Sequence, residues 1–191
     1  SATIQWKSGA NLSQSQKNSL VNAANSFASC TIPTSGEIVP LTDDKATLID
    51  RINDLPTNGM TAGQIGTAWA WYTLSPNWNS LWGASSAASA YGSGTRKIAI
   101  LMTDGVYNRV YAGSNSSTNA RNVCTRMKND GIEIFTIGFA VTNATARTTL
   151  SNCASPDTAL TKHFYEAATG EELKRAFQDI VRNIERLALI Q

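Results

Sequence analysis

The sequence predicts an α/β fold, a mostly parallel sheet with helices on both faces. Three observations carry that reading. Lys97–Thr103 (Lys-Ile-Ala-Ile-Leu-Met-Thr) and Ile132–Phe139 (Ile-Glu-Ile-Phe-Thr-Ile-Gly-Phe) are near-continuous apolar runs, the pattern of strands buried on both faces of a parallel sheet. The segments between and after them place apolar residues at helical spacing. Strands alternating with helices imply a layered sheet joined by right-handed crossovers.

The elements follow in chain order. Residues 11–27 read as an amphipathic helix capped by Ser13, with Leu20, Ala24 and Phe27 on one stripe. A turn-rich link with Pro33 and Gly36 leads to a short extended segment at 37–41. Thr42 or Asp43 is the expected cap of a helix over 44–55, whose stripe is Leu48, Ile49, Ile52 and Leu55. Pro56 and Gly59 end it, and a third helix is expected from near Thr61 to Leu74. Residues 75–95 lack periodicity and hold Trp78, Trp82 and Tyr91 among small residues. A loop of this length is either functional or a passive insertion, and these three aromatics are its candidate binding residues.

In the second half, a helix over 118–130 follows the first strand, with Val123 and Met127 inward and Gly131 placed for a C-terminal cap. A short helix over 144–151 follows the second strand, and a third strand is expected at 163–167. Thr169-Gly-Glu-Glu172 matches a capping box opening a last helix. The stripe of that helix is Leu173, Phe177, Ile180, Val181, Ile184 and Leu187. Residues 1–36 are set apart as a helical lead-in or insertion, and 37–191 form the domain proper.

The chain of 191 residues is long enough for one domain with a substantial core. A net charge of +2 gives no argument for nucleic acid or an anionic membrane. No apolar run reaches the roughly 18 residues needed to span a bilayer, and residues 1–9 have no signal-peptide core. Three cysteines, Cys30, Cys124 and Cys153, leave one without an internal partner if two pair.

In open α/β sheets, ligands sit beyond the carboxyl ends of the strands. Asp104 stands at that place after Lys97–Thr103, with Gly105 allowing a sharp exit. Position alone leaves two readings, a ligand-binding carboxylate or a cap for the following loop. Thr61 lies where a Gly-containing loop opens a helix, and its ordinary role there is an N-cap.

Around these two residues the sequence resembles von Willebrand factor A-type domains. Ile100-Leu-Met-Thr-Asp104-Gly is similar to the strand ending in a metal-site aspartate, and Gly59-Met-Thr61-Ala-Gly-Gln-Ile-Gly66 to the loop bearing a metal-site threonine. From Glu37 onward the chain also resembles the TadG-like tight-adherence (Flp) pilus assembly proteins. The resembling pieces are Glu37-Ile-Val-Pro-Leu-Thr42, Ile65-Gly-Thr-Ala-Trp-Ala-Trp71, Leu74-Ser-Pro-Asn-Trp78, Leu101-Met-Thr-Asp104-Gly, Phe135-Thr-Ile-Gly-Phe139 and Ala176-Phe-Gln-Asp-Ile180. Thr-Asp-Gly alone is a weak motif, whereas the ordered set is strong.

The resemblance implies an adhesive, protein-binding module of the bacterial cell envelope, on the periplasmic or extracellular face of the inner membrane, with its anchor upstream. It implies no enzymatic activity, pilus-assembly or surface proteins as partners, and Thr61 and Asp104 as ligands of Mg²⁺ or Mn²⁺. The full family site also takes an Asp-x-Ser-x-Ser loop, which this sequence lacks. The nearest mimic, Asn11-Leu-Ser13-Gln-Ser15, follows no buried strand. The central strand carrying that loop is therefore expected upstream of Ser1. The metal site is incomplete, and binding by this chain alone is expected to be weak or absent. An oxidising location together with chain order, Cys124 before the second strand and Cys153 after it, leads to an expected Cys124–Cys153 disulfide with Cys30 left over.

Other chemistries find little footing. Gly92-Ser-Gly94 precedes a strand rather than following one, so it is no dinucleotide fingerprint. There is no phosphate loop and no Gly-x-Ser-x-Gly elbow. The single histidine, His163, cannot build a His-rich zinc site. A metal-independent structural envelope protein and an enzyme on a Rossmann-like sheet remain the alternative classes.

Overall fold

The computed structural model describes residues 37–55, 60–110 and 115–188. The expected helix over 11–27 and Cys30 lie outside the described residues. The observed order is α1 (Lys45–Asn53), α2 (Gly63–Leu74), two short 3₁₀ turns (Pro76–Leu81 and Ala84–Ser86), β1 (Lys97–Thr103), α3 (Ser116–Asn129), β2 (Ile132–Phe139), α4 (Ala144–Cys153), β3 (Phe164–Ala167) and α5 (Gly170–Ala188).

The strands form one parallel sheet in the order β1-β2-β3. Lys97 pairs with Ile132 through to Thr103 with Gly138, and Thr136 pairs with Phe164 through to Phe139 with Ala167. Alternation along the strands sends side chains to two faces. On the first, Ala99 and Leu101 of β1 and Ile132 and Ile134 of β2 meet Met127, Cys124 and Cys153, with Ala70, Trp71 and Leu74 of α2 packed alongside. On the second, Phe135, Ile137 and Tyr165 meet Ala176 and Ile180 of α5. Helices α2, α3 and α4 therefore cover one face and α5 the other.

Local chemistry sets the helix ends. The cap of α1 is Asp44 rather than Thr42 or Asp43. Its Oδ1 accepts from the Ala46 and Thr47 amides at 3.0 and 3.4 Å, and these bonds, that with the Thr47 hydroxyl first, hold its carboxyl below the ordinary carboxylate range. Asn115 caps α3 through the Thr118 amide, so that helix starts two residues earlier than its apolar periodicity alone suggests. Gly131 follows α3 at φ +78°, a conformation glycine adopts without Cβ strain. At α5 the capping box forms in modified shape. Thr169 Oγ1 accepts from the Glu172 amide at 3.2 Å, while Glu172 reaches back to the amide of Ala168 rather than that of Thr169.

Two further expectations are corrected. The segment 37–41 forms no strand; it runs as irregular chain, and Glu37, Ile38 and Val39 line a groove against α2. The third strand begins at Phe164; His163 just before it still accepts the Thr136 amide at 2.8 Å, and its side chain binds a carboxylate at the opposite end of the sheet from Asp104 (below).

Cys124 of α3 and Cys153 of α4 are joined by a disulfide with Cα atoms 5.1 Å apart, and both residues are fully buried against the first face.

Candidate functional site

Strand β1 ends at Thr103, and Asp104 and Gly105 make the bend beyond it. Thr103 Oγ1 receives the Gly105 amide at 3.3 Å, so the bend closes on itself and leaves Asp104 at the tip. Asp104 is exposed, and no hydrogen bond among the described residues engages its carboxylate. A cap would accept backbone amides. Among the described residues Asp104 accepts none.

Thr61 is likewise not the N-cap of the helix it precedes. That position belongs to Ala62, which offers no side-chain bond, and α2 starts at Gly63. The backbone of Thr61 is instead clamped to the segment after Asp104. Its amide donates to Asn108 Oδ1 at 2.9 Å, and its carbonyl accepts from the Arg109 amide at 3.1 Å. Gln64 Nε2 donates to the Arg109 carbonyl at 3.2 Å, and the Gln64 side chain also bonds the Ser116 hydroxyl at the start of α3.

Tyr107 completes the clamp. Its ring lies over Gly63 so closely that a Cβ at that position would collide with it. Burial raises its phenol above the ordinary value of 10.0, against a smaller lowering from a hydrogen bond with Thr67. Gly63 is thus required by close approach.

These contacts shape a crevice of about 500 Å³ at the carboxyl end of β1, lined among others by Thr61, Gly63, Thr67, Tyr107 and the consecutive residues Ile100 to Thr103. Four consecutive strand residues point to both faces in turn, so the crevice runs along the unpaired edge of β1. The structure brings Thr61 and Thr103 together here. Asp104, one residue on, does not line the crevice; it projects beyond it.

Mg²⁺ takes six oxygens in near-octahedral geometry and keeps several waters. One carboxylate and one hydroxyl fit that requirement only in part. Among the described residues no group of three His, Cys, Asp or Glu side chains gathers as ligands.

The arrangement is a carboxylate at the end of a parallel strand, a threonine loop held to the segment that follows that carboxylate, and helices on both faces of the sheet. The family model described as von Willebrand factor type A domain matches residues 19–179. The chain belongs to the von Willebrand factor type A (VWA) family. No curated protein and no solved structure matches it. VWA domains generally serve as protein-interaction modules, and the carboxyl end of the sheet is where an open α/β fold offers its ligand surface.

The other sequence candidates lie elsewhere. Trp78 stacks on Tyr72 at 3.9 Å between ring centroids, and Trp82 meets Trp69 edge-on at 6.1 Å. Tyr91 donates to Asp130 Oδ2 at 3.1 Å, as does Trp71 Nε1 at 2.9 Å. All three loop aromatics are half-buried and pinned to α2 or to the core beneath it. They fasten the long loop to the VWA domain. With α2 they also leave an apolar groove of about 940 Å³ between residues 37–39, Trp69, Leu81 and Trp82.

Two features escaped the sequence reading. The clamp of Tyr107 and Asn108 on the Thr61 loop had one available signal, Gly63 placed in a first helical turn where glycine is otherwise costly. The second is a charged cluster at the opposite, amino-terminal end of the sheet. His163 Nε2 lies 2.9 Å from Glu133 Oε1, and Arg96 donates to Glu133 Oε2 at 2.5 Å. Burial pushes the Glu133 carboxyl up, but hydrogen bonds from His163 and Arg96 outweigh it and leave the group below its ordinary value of 4.5. A glutamate inside an otherwise apolar strand was its signal.

Proposed function

We propose that this VWA domain is the carboxyl-terminal part of a TadG-like pilus assembly protein of the bacterial cell envelope, and that it binds protein partners at the carboxyl end of β1. The observation that supports the reading is an exposed Asp104 carboxylate, unengaged among the described residues, one residue beyond a crevice whose Thr61 loop is tied down by Asn108, Arg109 and Tyr107. Rigid placement lowers the ordering cost of binding. The partner class, pilus-assembly or surface proteins, rests on the ordered motifs shared with TadG-like proteins from Glu37 onward.

The site works through a divalent cation only when a further loop joins it. Thr61 and Asp104 are the two ligands this chain supplies, and Mg²⁺ or Mn²⁺ would hold a partner's carboxylate against them. A strand laid along the free edge of β1 would bring such a loop to the same crevice, because ligand sites of open sheets form where strand order reverses. Calorimetric titration with Mg²⁺ and Mn²⁺ tests this on the present chain and on one extended upstream. Weak or no binding is expected for the first and clear binding for the second. If the longer chain binds neither metal and Asp104→Ala leaves capture of pilus-assembly proteins unchanged, the metal-dependent reading fails. A metal-independent structural role in the envelope then replaces it.

A further inference from the structure

His163 is the chain's single histidine, and its side chain is only 4% exposed. The ring lies on Phe135 with centroids 4.7 Å apart. Nε2 faces the Glu133 carboxylate at 2.9 Å, which places the ring's proton on that nitrogen, since an ionised carboxylate only accepts. Nδ1 then carries a lone pair. It is buried, and among the described residues it has no hydrogen-bond partner. Buried polar atoms without partners are few in folded proteins, and each calls for a reason. Here a second carboxylate stands near: Asp157 Oδ1 lies 3.7 Å from Nδ1. A lone pair facing an acceptor makes no bond.

We infer that His163 is a proton-operated clasp between β2 and the loop 154–162. The neutral ring binds β2 alone, through Glu133. A second proton, taken from solvent at Nδ1, turns the ring into a donor on both sides, and it then binds Asp157 as well. The Asp157 side chain is 61% exposed, so solvent rather than packing surrounds it. A charge-assisted bond of about 2.8 Å requires it to move by roughly 1 Å. Its Oδ1 already accepts the His163 amide at 2.7 Å, which keeps the carboxylate at the ring. The loop is otherwise held at its two ends. Ser155 exchanges two hydrogen bonds with the Ile134 backbone, both at 2.9 Å, and the Leu160 carbonyl accepts from Arg186 of α5. The clasp closes the stretch between them.

The charges around the ring set the pH window. β2 contributes Glu133, and the loop contributes Asp157. The chain entering β1 contributes Arg96, which divides its guanidinium between Glu133 and the Ile184 carbonyl of α5. On β3, Tyr165 has its phenol pushed up by burial first, then by Asp179 of α5 and by Asp157. Lys162 lies over that phenol ring at 5.3 Å. Imidazole is the side chain whose charge ordinarily changes between about pH 5 and 8. A bond that only the doubly protonated ring can make couples proton uptake to loop closure. The clasp therefore closes as pH falls through that range. It opens again in stronger acid, where the carboxylates lose their charge. The clasp is independent of the metal and pilus readings.

Amide exchange in the full chain, corrected for the intrinsic effect of pH, tests it. Protection over residues 157–162 is expected to be about tenfold greater at about pH 5.5 than at about pH 8, with no such difference in α2. Asp157→Asn keeps an acceptor for the His163 amide and removes only the charge, so it is expected to abolish the pH difference. Nitrogen-15 spectra of the ring give an independent readout, and a single histidine needs no assignment. A proton on Nε2 alone is expected at the higher pH, and a second, slowly exchanging proton on Nδ1 at the lower. Loop protection that ignores pH would overturn the inference. The same pH difference in Asp157→Asn, or a neutral ring with its proton on Nδ1, would do so equally.

Discussion

Strands β1 and β2 have similar composition and lie side by side, yet they occupy opposite physical states. Six of the eight β2 residues are buried, against three of seven in β1. The helices packed on the first face of the sheet differ in the same sense. Helix α3 buries Ser116, Ser117, Ala120, Cys124 and Met127, whereas α2, which packs on β1, buries Gln64 and Thr67. The half built on β2 is a finished core stapled by a disulfide. The half built on β1 presents an unpaired strand edge, a partly bare face and the candidate binding residues. Burial is concentrated on one side of the sheet, and the proposed recognition residues lie on the other.

The largest effects that sharpen this contrast fall on the β2 side. Phe135→Ala empties a fully buried ring position between β2 and α5, and it is expected to cost about 3–5 kcal/mol in chemical denaturation. Replacing both Cys124 and Cys153 by serine releases a bridge of sequence separation 29, with an expected loss of about 3–4 kcal/mol. An equal loss from Ile100→Ala, at an exposed position of β1, would break the comparison.

The charged cluster comes next. Glu133→Gln replaces the carboxylate shared by Arg96 and His163 with a neutral amide that keeps one acceptor oxygen, and is expected to cost about 1–3 kcal/mol. The pH dependence follows from the direction of the shift. The folded Glu133 carboxyl lies below its ordinary value of 4.5, so its contribution is complete above that pH and fades as pH falls through the depressed folded value. Wild-type stability is expected to decline in that acidic window, and Glu133→Gln to flatten the same part of the curve. A variant profile parallel to wild type would remove the cluster from the stability of this half.

The same division explains what was legible in the sequence. β1 and β2 were readable to the residue because both are near-unbroken apolar runs, which a mixed surface strand rarely mimics, even though only β2 is buried on both faces and Ile100 and Met102 of β1 are exposed. The helix stripes were readable too, but their ends were set by side-chain caps. Asp44, rather than Thr42 or Asp43, and Asn115, ahead of the first periodic residue, won those positions by hydrogen bonding that periodicity does not record. The segment 37–41 has strand-like composition but pairs with no strand among the described residues, and it stays irregular. At the site, Asp104 and Thr61 were visible as residues. Their support was not, since Tyr107 over Gly63 and Asn108 on the Thr61 amide are contacts between segments more than forty residues apart in the chain. Trp78, Trp82 and Tyr91 were equally visible but could serve binding or anchoring, and the anchoring contacts, ring packing for the two tryptophans and the Asp130 hydrogen bond for Tyr91, could not be read from the sequence.

A smaller effect tests that support. Gly63→Ala would ordinarily favour a helix by about 1 kcal/mol, but here the new methyl meets the Tyr107 ring. Relief requires Tyr107 to leave its place, with a net loss of about 1–2 kcal/mol expected. Burial holds the Tyr107 phenol above 10.0, so the displaced ring is expected to titrate at lower pH. Ultraviolet titration against a Tyr107→Phe reference would show it. A stabilised Gly63→Ala with an unmoved tyrosine titration would mean that the clamp is loose.

The smallest expected stability change belongs to Asp104→Ala. Asp104 is exposed and makes no hydrogen bond among the described residues, so its removal breaks nothing in the fold, and surface changes of that kind fall within about 0.5 kcal/mol. Binding is expected to move the other way. If the Asp104 carboxylate is the charged element of the recognition surface, its loss reduces partner capture severalfold while the melting temperature stays put. The two readouts together separate the possible roles. A melting temperature lowered by several degrees would make Asp104 a structural cap after all. Unchanged melting with unchanged capture would move recognition away from this strand end, to the apolar groove beside Trp69 and Trp82 on the far side of α2.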